Sequence, residues 1–235
     1  MTNDTTRPLV FIGSNSNIFK FQELVEDCGY NLVGIVDDDY YDQKQYLGIP
    51  VIAREADLVE EREHWKHYQF VCMTNWYPDQ HDPIVQRNRD KRTRQIQLLE
   101  QQQFTLATII SPRAQVSRRA KVGGGSIIDS FSVLDPGAEV GKHTLIYDHV
   151  ILGPSSRVGN DCVLQRYAGV AGETTVGDGS YLSMNSGVLR VEVEVGAGTF
   201  IHPGIFILRG TEPNEVVSLA GRNLRKVYPS TTTIE

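Results

Sequence analysis

Cysteine is scarce in this sequence: three in 235 residues, Cys28, Cys72 and Cys162, with no Cys-x-x-Cys pair. That argues against a disulfide scaffold and a cysteine-rich zinc site, and it fits a reduced, cytoplasmic setting. Long apolar runs are also missing. None approaches the roughly 18 residues that span a bilayer, so no membrane partner is expected. The opening MTNDTTRPLVFIG has no basic stretch followed by a long apolar one, and no signal peptide is expected. Positive charge is in deficit, 23 Lys and Arg against 29 Asp and Glu, which leaves a net charge of −6. Duplex binding needs a basic face, so no nucleic-acid partner is expected. The basic cluster Arg87 to Arg94 contains Asp90 and opens a helical pattern. It reads as a solvated helix face in preference to a phosphate-binding patch. His64, His67 and His81 lack ligand-like spacing, and no metal site is expected.

What is present divides the chain into two patterns. Up to about residue 110, short apolar runs alternate with helical stretches. Leu9 to Ile12, Asn31 to Val36, Val51-Ile52, Phe70 to Met73 and Thr105 to Ile110 read as strands. Ile18 to Cys28, with Phe19, Leu24 and Val25 apolar, reads as a helix, as do Asp57 to Trp65 and Arg87 to Gln103. Such alternation predicts a parallel α/β sheet.

From Ser111 glycine becomes frequent and a six-residue repeat begins. Every sixth position from Val116 to Val188 is Val, Ile or Leu, and the position two earlier is nearly always small. Val122-Gly123, Val140-Gly141, Val158-Gly159 and Val176-Gly177 repeat every eighteen residues; Val195-Gly196 follows after nineteen, so one residue is inserted between Val188 and Val195. A hexad makes one short strand and one corner, and three hexads close a triangular coil. The branched residue points inward and stacks on its neighbours, while glycine recurs at a corner that favours a residue without Cβ. The prediction is a hexapeptide parallel β-helix.

A glycine loop after the first strand, an acidic turn at Val36-Asp37-Asp38-Asp39, and Ile109-Ile110-Ser111-Pro112-Arg113-Ala114-Gln115-Val116 leading into hexads are together similar to the sialic acid O-acetyltransferase family. That family includes bacillosamine-type nucleotide-sugar N-acetyltransferases. The resemblance covers nearly the whole chain. It implies a Rossmann-like nucleotide-sugar-binding domain over 1–110, a left-handed β-helix acyltransferase-like domain over 111–220 and a C-terminal tail over 221–235. It also implies a homotrimer, acetyl-CoA as co-substrate between neighbouring β-helices, and a UDP- or dTDP-linked amino sugar as acceptor, in surface-glycan biosynthesis. By the same resemblance Gly13, Ser14, Asn15, Asp37 and Asp38 approach the nucleotide sugar, with Tyr40 and Tyr41 adding stacking surface. Tyr77 to Asp90 reads as an insertion over the sugar site. Gly196, Gly198 and Gly204 line the pantetheine arm, and Gly221 and Arg225 match the closing segment beside CoA, where Arg222 and Lys226 also lie.

The family's catalytic histidine stands five residues before a coil's Ile/Val-Gly; here that position is Pro154, and a second family histidine falls on Val163. The Glu and Asn that accompany the base fall on Gly153 and Tyr147. His149, in the same coil, is the candidate replacement base, with His143 and His202 behind it. Three readings stay open: an acyltransferase with a relocated base or none, a degenerate trimeric homologue that binds a sugar nucleotide or partner protein without transfer, and a different reaction on the same fold.

Overall fold

The computed structural model describes residues 7–76, 83–218 and 224–225. The chain forms two compact units. One holds the chain up to Pro112 together with Gly124–Ser126, and the other holds Arg113–Gly123 and the chain from Ile127 onward.

The first unit runs β1 (Arg7–Ile12), α1 (Ile18–Asp27), β2 (Tyr30–Val36), β3 (Gln45–Tyr46), β4 (Ile49–Ala53), α2 (Glu55–Glu60), α3 (Arg62–Trp65), β5 (Gln69–Cys72), α4 (Pro83–Gln101) and β6 (Thr105–Leu106). The sheet order is β3-β4-β2-β1-β5-β6. β1 pairs in parallel with β2 and β5, β2 with β4, and β5 with β6. Leu9, Val10, Phe11 and Ile12 are wholly buried, so this strand is covered on both faces and its sequence is an unbroken apolar run. α1 buries Ile18, Phe21, Leu24 and Val25, one stripe at helical spacing, and leaves Phe19 exposed against expectation. Two further details depart from the sequence reading. The expected helix Asp57–Trp65 is two short helices broken at Glu61, and the expected strand Thr105–Ile110 is two dipeptide strands. β3 was not expected at all. It pairs antiparallel with β4 across Leu47 and Gly48, both in the left-handed region (φ 48° and 79°), which makes a type I′ hairpin turn.

The second unit is a stack of coils with three faces. Along one face Ile128, Ile146, Leu164, Leu182 and Ile201 pair in succession. Along the next stand Leu134, Leu152, Val170, Val188 and Ile207, and along the third Val122, Val140, Val158, Val176 and Val195. The step is eighteen residues until the extra residue, which the structure places between Val188 and Val195 as the sequence requires. These side chains form one buried column with the small residues Ala138, Cys162 and Ala168. Three hydroxyls at the small positions are fixed by backbone carbonyls: Ser132 Oγ donates to Tyr147 O (2.8 Å), Thr144 Oγ1 to Gly159 O (2.8 Å) and Thr174 Oγ1 to Arg190 O (2.9 Å), whereas buried Ser156 Oγ has no partner among the described residues.

The recurring glycine does exclude a Cβ, and the structure gives the cause. Gly123, Gly141, Gly177 and Gly196 have no left-handed φ; a Cβ on each would stand 2.5–2.6 Å from the backbone of the next coil. Coil-to-coil approach excludes the side chain there. The left-handed corner lies two residues later and accepts His143 (φ 54°) and Asp161 (φ 51°).

Candidate functional site

In the first unit β1 lies between β2, from which the chain runs on to β4 on one side, and β5, to which it crosses back on the other. Chain order therefore reverses beside β1, and a parallel sheet opens a crevice at the carboxyl ends of its strands at such a point. A cleft of about 330 Å³ lies there, lined by Ser14, Asn15 and Ser16 after β1, Asp39 and Tyr40 after β2, Tyr46, Thr74 to Trp76 after β5, and Asn88 and Lys91 on α4.

The loop after β1 is rigidly held. Gly13 (φ 77°) donates its N–H to Val36 O (2.8 Å), and a Cβ there would overlap Thr74 Oγ1. Ser14 Oγ donates to Asp37 Oδ2 (2.7 Å), and Asn15 Nδ2 to Met73 O (2.5 Å). Asn15 Oδ1 also accepts from Asn17 N–H (2.8 Å). At the end of β2, Asp37 is wholly buried and accepts from Lys91 Nζ (2.6 Å) as well as from Asp39 N–H (3.0 Å). Lys91 donates further to Asp39 Oδ2 (2.8 Å), and Arg87 pairs with Asp39 Oδ1 (2.5 Å). Burial alone would lower the Lys91 ammonium, but its bonds to Asp37 and Asp39 outweigh that and raise it above its usual value. The bond from Lys91 holds the Asp39 carboxyl below its usual value, against a smaller opposing effect of burial. Beneath the cleft, buried Gln95 accepts from Thr74 Oγ1 (2.6 Å) and donates to Glu55 Oε1 (2.7 Å), while burial pushes Glu55 up.

Of the residues expected here, Ser14 and Asn15 line the cleft, and Gly13 and buried Asp37 stand behind them, Asp37 bonded to Ser14. Asp38 does neither: it is exposed and accepts from the Glu55 N–H (2.8 Å) at the start of α2. Tyr40 lines the cleft, whereas Tyr41 lies under the cations of Lys44 and Arg54. The basic segment is a solvated face only in part, with Arg87, Asp90 and Arg94 exposed. Lys91 and Arg92 are buried, the latter donating to Cys72 O (3.3 Å) and Thr74 O (2.9 Å). Asp39, the last residue of the acidic turn, lines the cleft; Lys91, Tyr46, Trp76 and Asn88 were missed as site residues. Residues 77–82 of the expected insertion lie outside the described residues.

The second unit has a larger cleft of about 680 Å³ near its C-terminal coils, lined by Thr175, Gly177, Asp178, Glu194 to Ala197 and Arg209 to Pro213. Gly196 lies in its wall. Gly198 (φ 69°) faces Asn214, and Gly204 (φ 74°) has no atom near its Cβ direction. Arg225 is described only as backbone, in a two-residue strand antiparallel to Glu215–Val217. Gly221, Arg222 and Lys226 lie outside the described residues. His149 sits at a left-handed corner (φ 61°) and is stacked between the rings of Phe131 (5.1 Å) and Tyr167 (4.9 Å). Its sequence neighbour Asp148 pairs with Arg166 (2.9 Å), and among the described residues no carboxylate bonds the imidazole. Pro154 is exposed at the neighbouring corner, His143 is buried, and His202 packs on Phe200 (4.4 Å).

No protein-family model matches the chain, and no curated protein matches it by sequence. Solved structures do. A variant of perosamine N-acetyltransferase from Caulobacter crescentus, in complex with CoA and GDP-perosamine, superposes with a TM-score of 0.76 at 21% identity, over 93% of this chain and 97% of that one. WeeI from Acinetobacter baumannii AYE gives 0.75 at 16% identity, over 93% and 100%. The acetyltransferase domain of PglB from Neisseria gonorrhoeae FA1090, in complex with acetyl coenzyme A, gives 0.60 at 22% identity, over 90% and 95%. These likenesses show the fold: the repeated short parallel strands fit a left-handed hexapeptide β-helix.

Proposed function

We propose that the protein transfers an acetyl group from acetyl-CoA to the amine of a nucleotide-linked sugar in surface-glycan biosynthesis. The observation that carries this is one chain holding a switch-point cleft and a hexapeptide β-helix, over the full length shared with the CoA-bound and nucleotide-sugar-bound acetyltransferase structures above. The first unit acts as a Rossmann-like domain, its cleft framed by Gly13, Ser14, Asn15 and Asp37, and takes a UDP-, dTDP- or GDP-linked amino sugar. CoA runs along the β-helix past Gly196, Gly198 and Gly204 toward Gly221 and Arg225, with the cytoplasm as the compartment. A homotrimer covers the second coil face, where Ile151 and Phe206 are 54% and 40% exposed.

In the reaction the sugar amine attacks the thioester carbonyl, a C–N bond forms, and the C–S bond breaks to release CoA as its thiol. The proton shed by the amine goes to His149 in this reading and from there to the departing sulfur. An amine arriving unprotonated is already a nucleophile, so positioning supplies most of the rate. The test is thermal-shift titration with acetyl-CoA and, separately, UDP, GDP and dTDP. A ligand that binds only the folded form at about 100 times its Kd adds roughly 2.7 kcal/mol of stability. Shifts with acetyl-CoA and one nucleotide are expected. A nucleotide shift alone would favour a binding protein without transfer, and no shift with either would remove the proposal.

A further inference from the structure

A histidine that takes a proton in a reaction needs its ring held in one orientation, and a hydrogen bond to one ring nitrogen commonly does this. His149 is held differently. Neither imidazole nitrogen has a hydrogen-bond partner among the described residues, and the adjacent carboxylate of Asp148 is bonded to Arg166 (2.9 Å). The ring is held by its two faces. Phe131 stacks on one, with centroids 5.1 Å apart and planes at 16°, and Tyr167 on the other, at 4.9 Å and 12°. The backbone sets that spacing. The three residues stand at the same corner of successive coils, where His149 N–H donates to Ser130 O (3.2 Å) and Tyr167 N–H to Asp148 O (3.3 Å), each in the coil before. The rings thus stand one coil rise apart, roughly 4.8 Å, which is also a stacking distance.

The corner itself does not ask for rings. Phe131, His149 and Tyr167 are all in the left-handed region, at φ 61°, 61° and 62°. Bulky side chains are uncommon there, and glycine, asparagine and aspartate are favoured. The same corner takes Asn185 and Gly204 in the next two coils, and the other two corners take Gly137, Ser155 and Glu173, and His143, Asp161 and Gly179. Nor do the rings fill a core, since Phe131 and Tyr167 are 55% and 56% exposed. Residues held in such a conformation gather where a site needs them.

Resting on the transfer reading above, in which His149 takes the proton of the amine, we propose that Phe131 and Tyr167 are positioning residues that clamp both faces of the imidazole and present its edge, with both nitrogens, to the reacting amine. Stacking does here what a hydrogen-bonded carboxylate does for other histidine bases. It leaves both nitrogens unused: in the neutral ring one carries a proton and the other accepts. Unclamped, the imidazole has three χ1 wells and about two χ2 orientations, so the productive one is diluted by up to about sixfold. That loss falls on the rate of the bound complex and not on substrate binding.

The experiment is steady-state acetyl transfer from acetyl-CoA to UDP-, GDP- and dTDP-linked amino sugars, with carbon-13 labelled histidine in the same proteins to record the ring carbon–proton signals. The variants are Tyr167→Asn, Phe131→Asn, Tyr167→Phe and His149→Ala. Asparagine keeps the fold, because Asn185 already occupies this corner at φ 52°. In wild type the His149 signal, identified by its loss in His149→Ala, should lie upfield of an exposed histidine, since both neighbouring rings shield it. Tyr167→Asn and Phe131→Asn should move it downfield and lower kcat by about three- to sixfold, with KM for both substrates unchanged. Tyr167→Phe should keep the wild-type signal and kcat. A moved signal with kcat unchanged overturns the proposal, and so does a change confined to KM. A Tyr167→Phe variant as slow as Tyr167→Asn overturns it by assigning the effect to the phenol, and an unshielded wild-type signal overturns it outright. Wild-type turnover by His149→Ala removes the base assignment on which the clamp rests, and a wild type inactive on every acceptor removes the transfer reading. In both cases the proposal falls with that reading while the shielded signal persists, which tells those failures from its own.

Discussion

Three glycines of the β-helix separate two physical reasons for lacking a side chain. At Gly141 the backbone is ordinary, but a Cβ would stand 2.5 Å from the carbonyl carbon of Gly159 in the next coil. Coils are already at hydrogen-bond spacing, with Gly141 N–H donating to Val158 O at 2.8 Å, so relief means prising coils apart. Overpacking of this kind costs about 1–3 kcal/mol or more. At Gly204 the space is open but φ is +74°, and an alanine there costs about 1 kcal/mol in the left-handed region. At Gly169 neither obstacle exists. An alanine there is neutral, or stabilises by about 0.4–1 kcal/mol through the unfolded chain. Urea denaturation of Gly141→Ala, Gly204→Ala and Gly169→Ala, at one fixed protomer concentration, should rank them in that order of loss. Gly141→Ala unfolding with the wild-type midpoint would refute the stacking argument.

Leu164, wholly buried between Ile146 and Leu182, should lose about 2–5 kcal/mol on Leu164→Ala, read from the same denaturation curves. Burial pushes the Cys162 thiol up to about 12, so it should resist alkylation at neutral pH until the protein is unfolded, while half-buried Cys28 should react first under mass-spectrometric readout. Asp39 has a folded pKa below its unfolded value. Its contribution to stability is present above about pH 4 and lost as pH falls toward the folded value, so the stability gap between wild type and Asp39→Asn should close in acid denaturation there. His149→Ala should cut acetyl transfer without moving the nucleotide Kd; unchanged turnover would remove the base assignment.

The β-helix was legible because every coil meets the same environment. The aliphatic hexad from Ile128 onward maps onto the buried column, with Val116 and Val122 partly buried against it, and even the extra residue before Val195 falls where the register slips. What the repeat hides is why Gly141 is glycine, since close approach between coils and a special φ leave the same letter in the sequence. In the first unit the apolar strands were readable, but β3 was concealed by Leu47 adopting a conformation that leucine seldom takes. The candidate site was half legible. Gly13, Ser14 and Asp37 sit beside strand ends that the pattern locates. Lys91 lies 54 residues from Asp37, and a lysine amid arginines on a polar helix looks solvated until the sheet brings a buried carboxylate to it.

The central claim is acetyl transfer to a nucleotide-linked amine. Its most direct test is incubation with acetyl-CoA labelled in the acetyl group and a panel of UDP-, GDP- and dTDP-linked amino sugars, followed by mass spectrometry of the sugar nucleotide. Labelled acetyl on the amine of one of them, matched by an equal amount of free CoA thiol, is the predicted result. Sugar nucleotides recovered unmodified by a protein shown to bind both acetyl-CoA and nucleotide would contradict it.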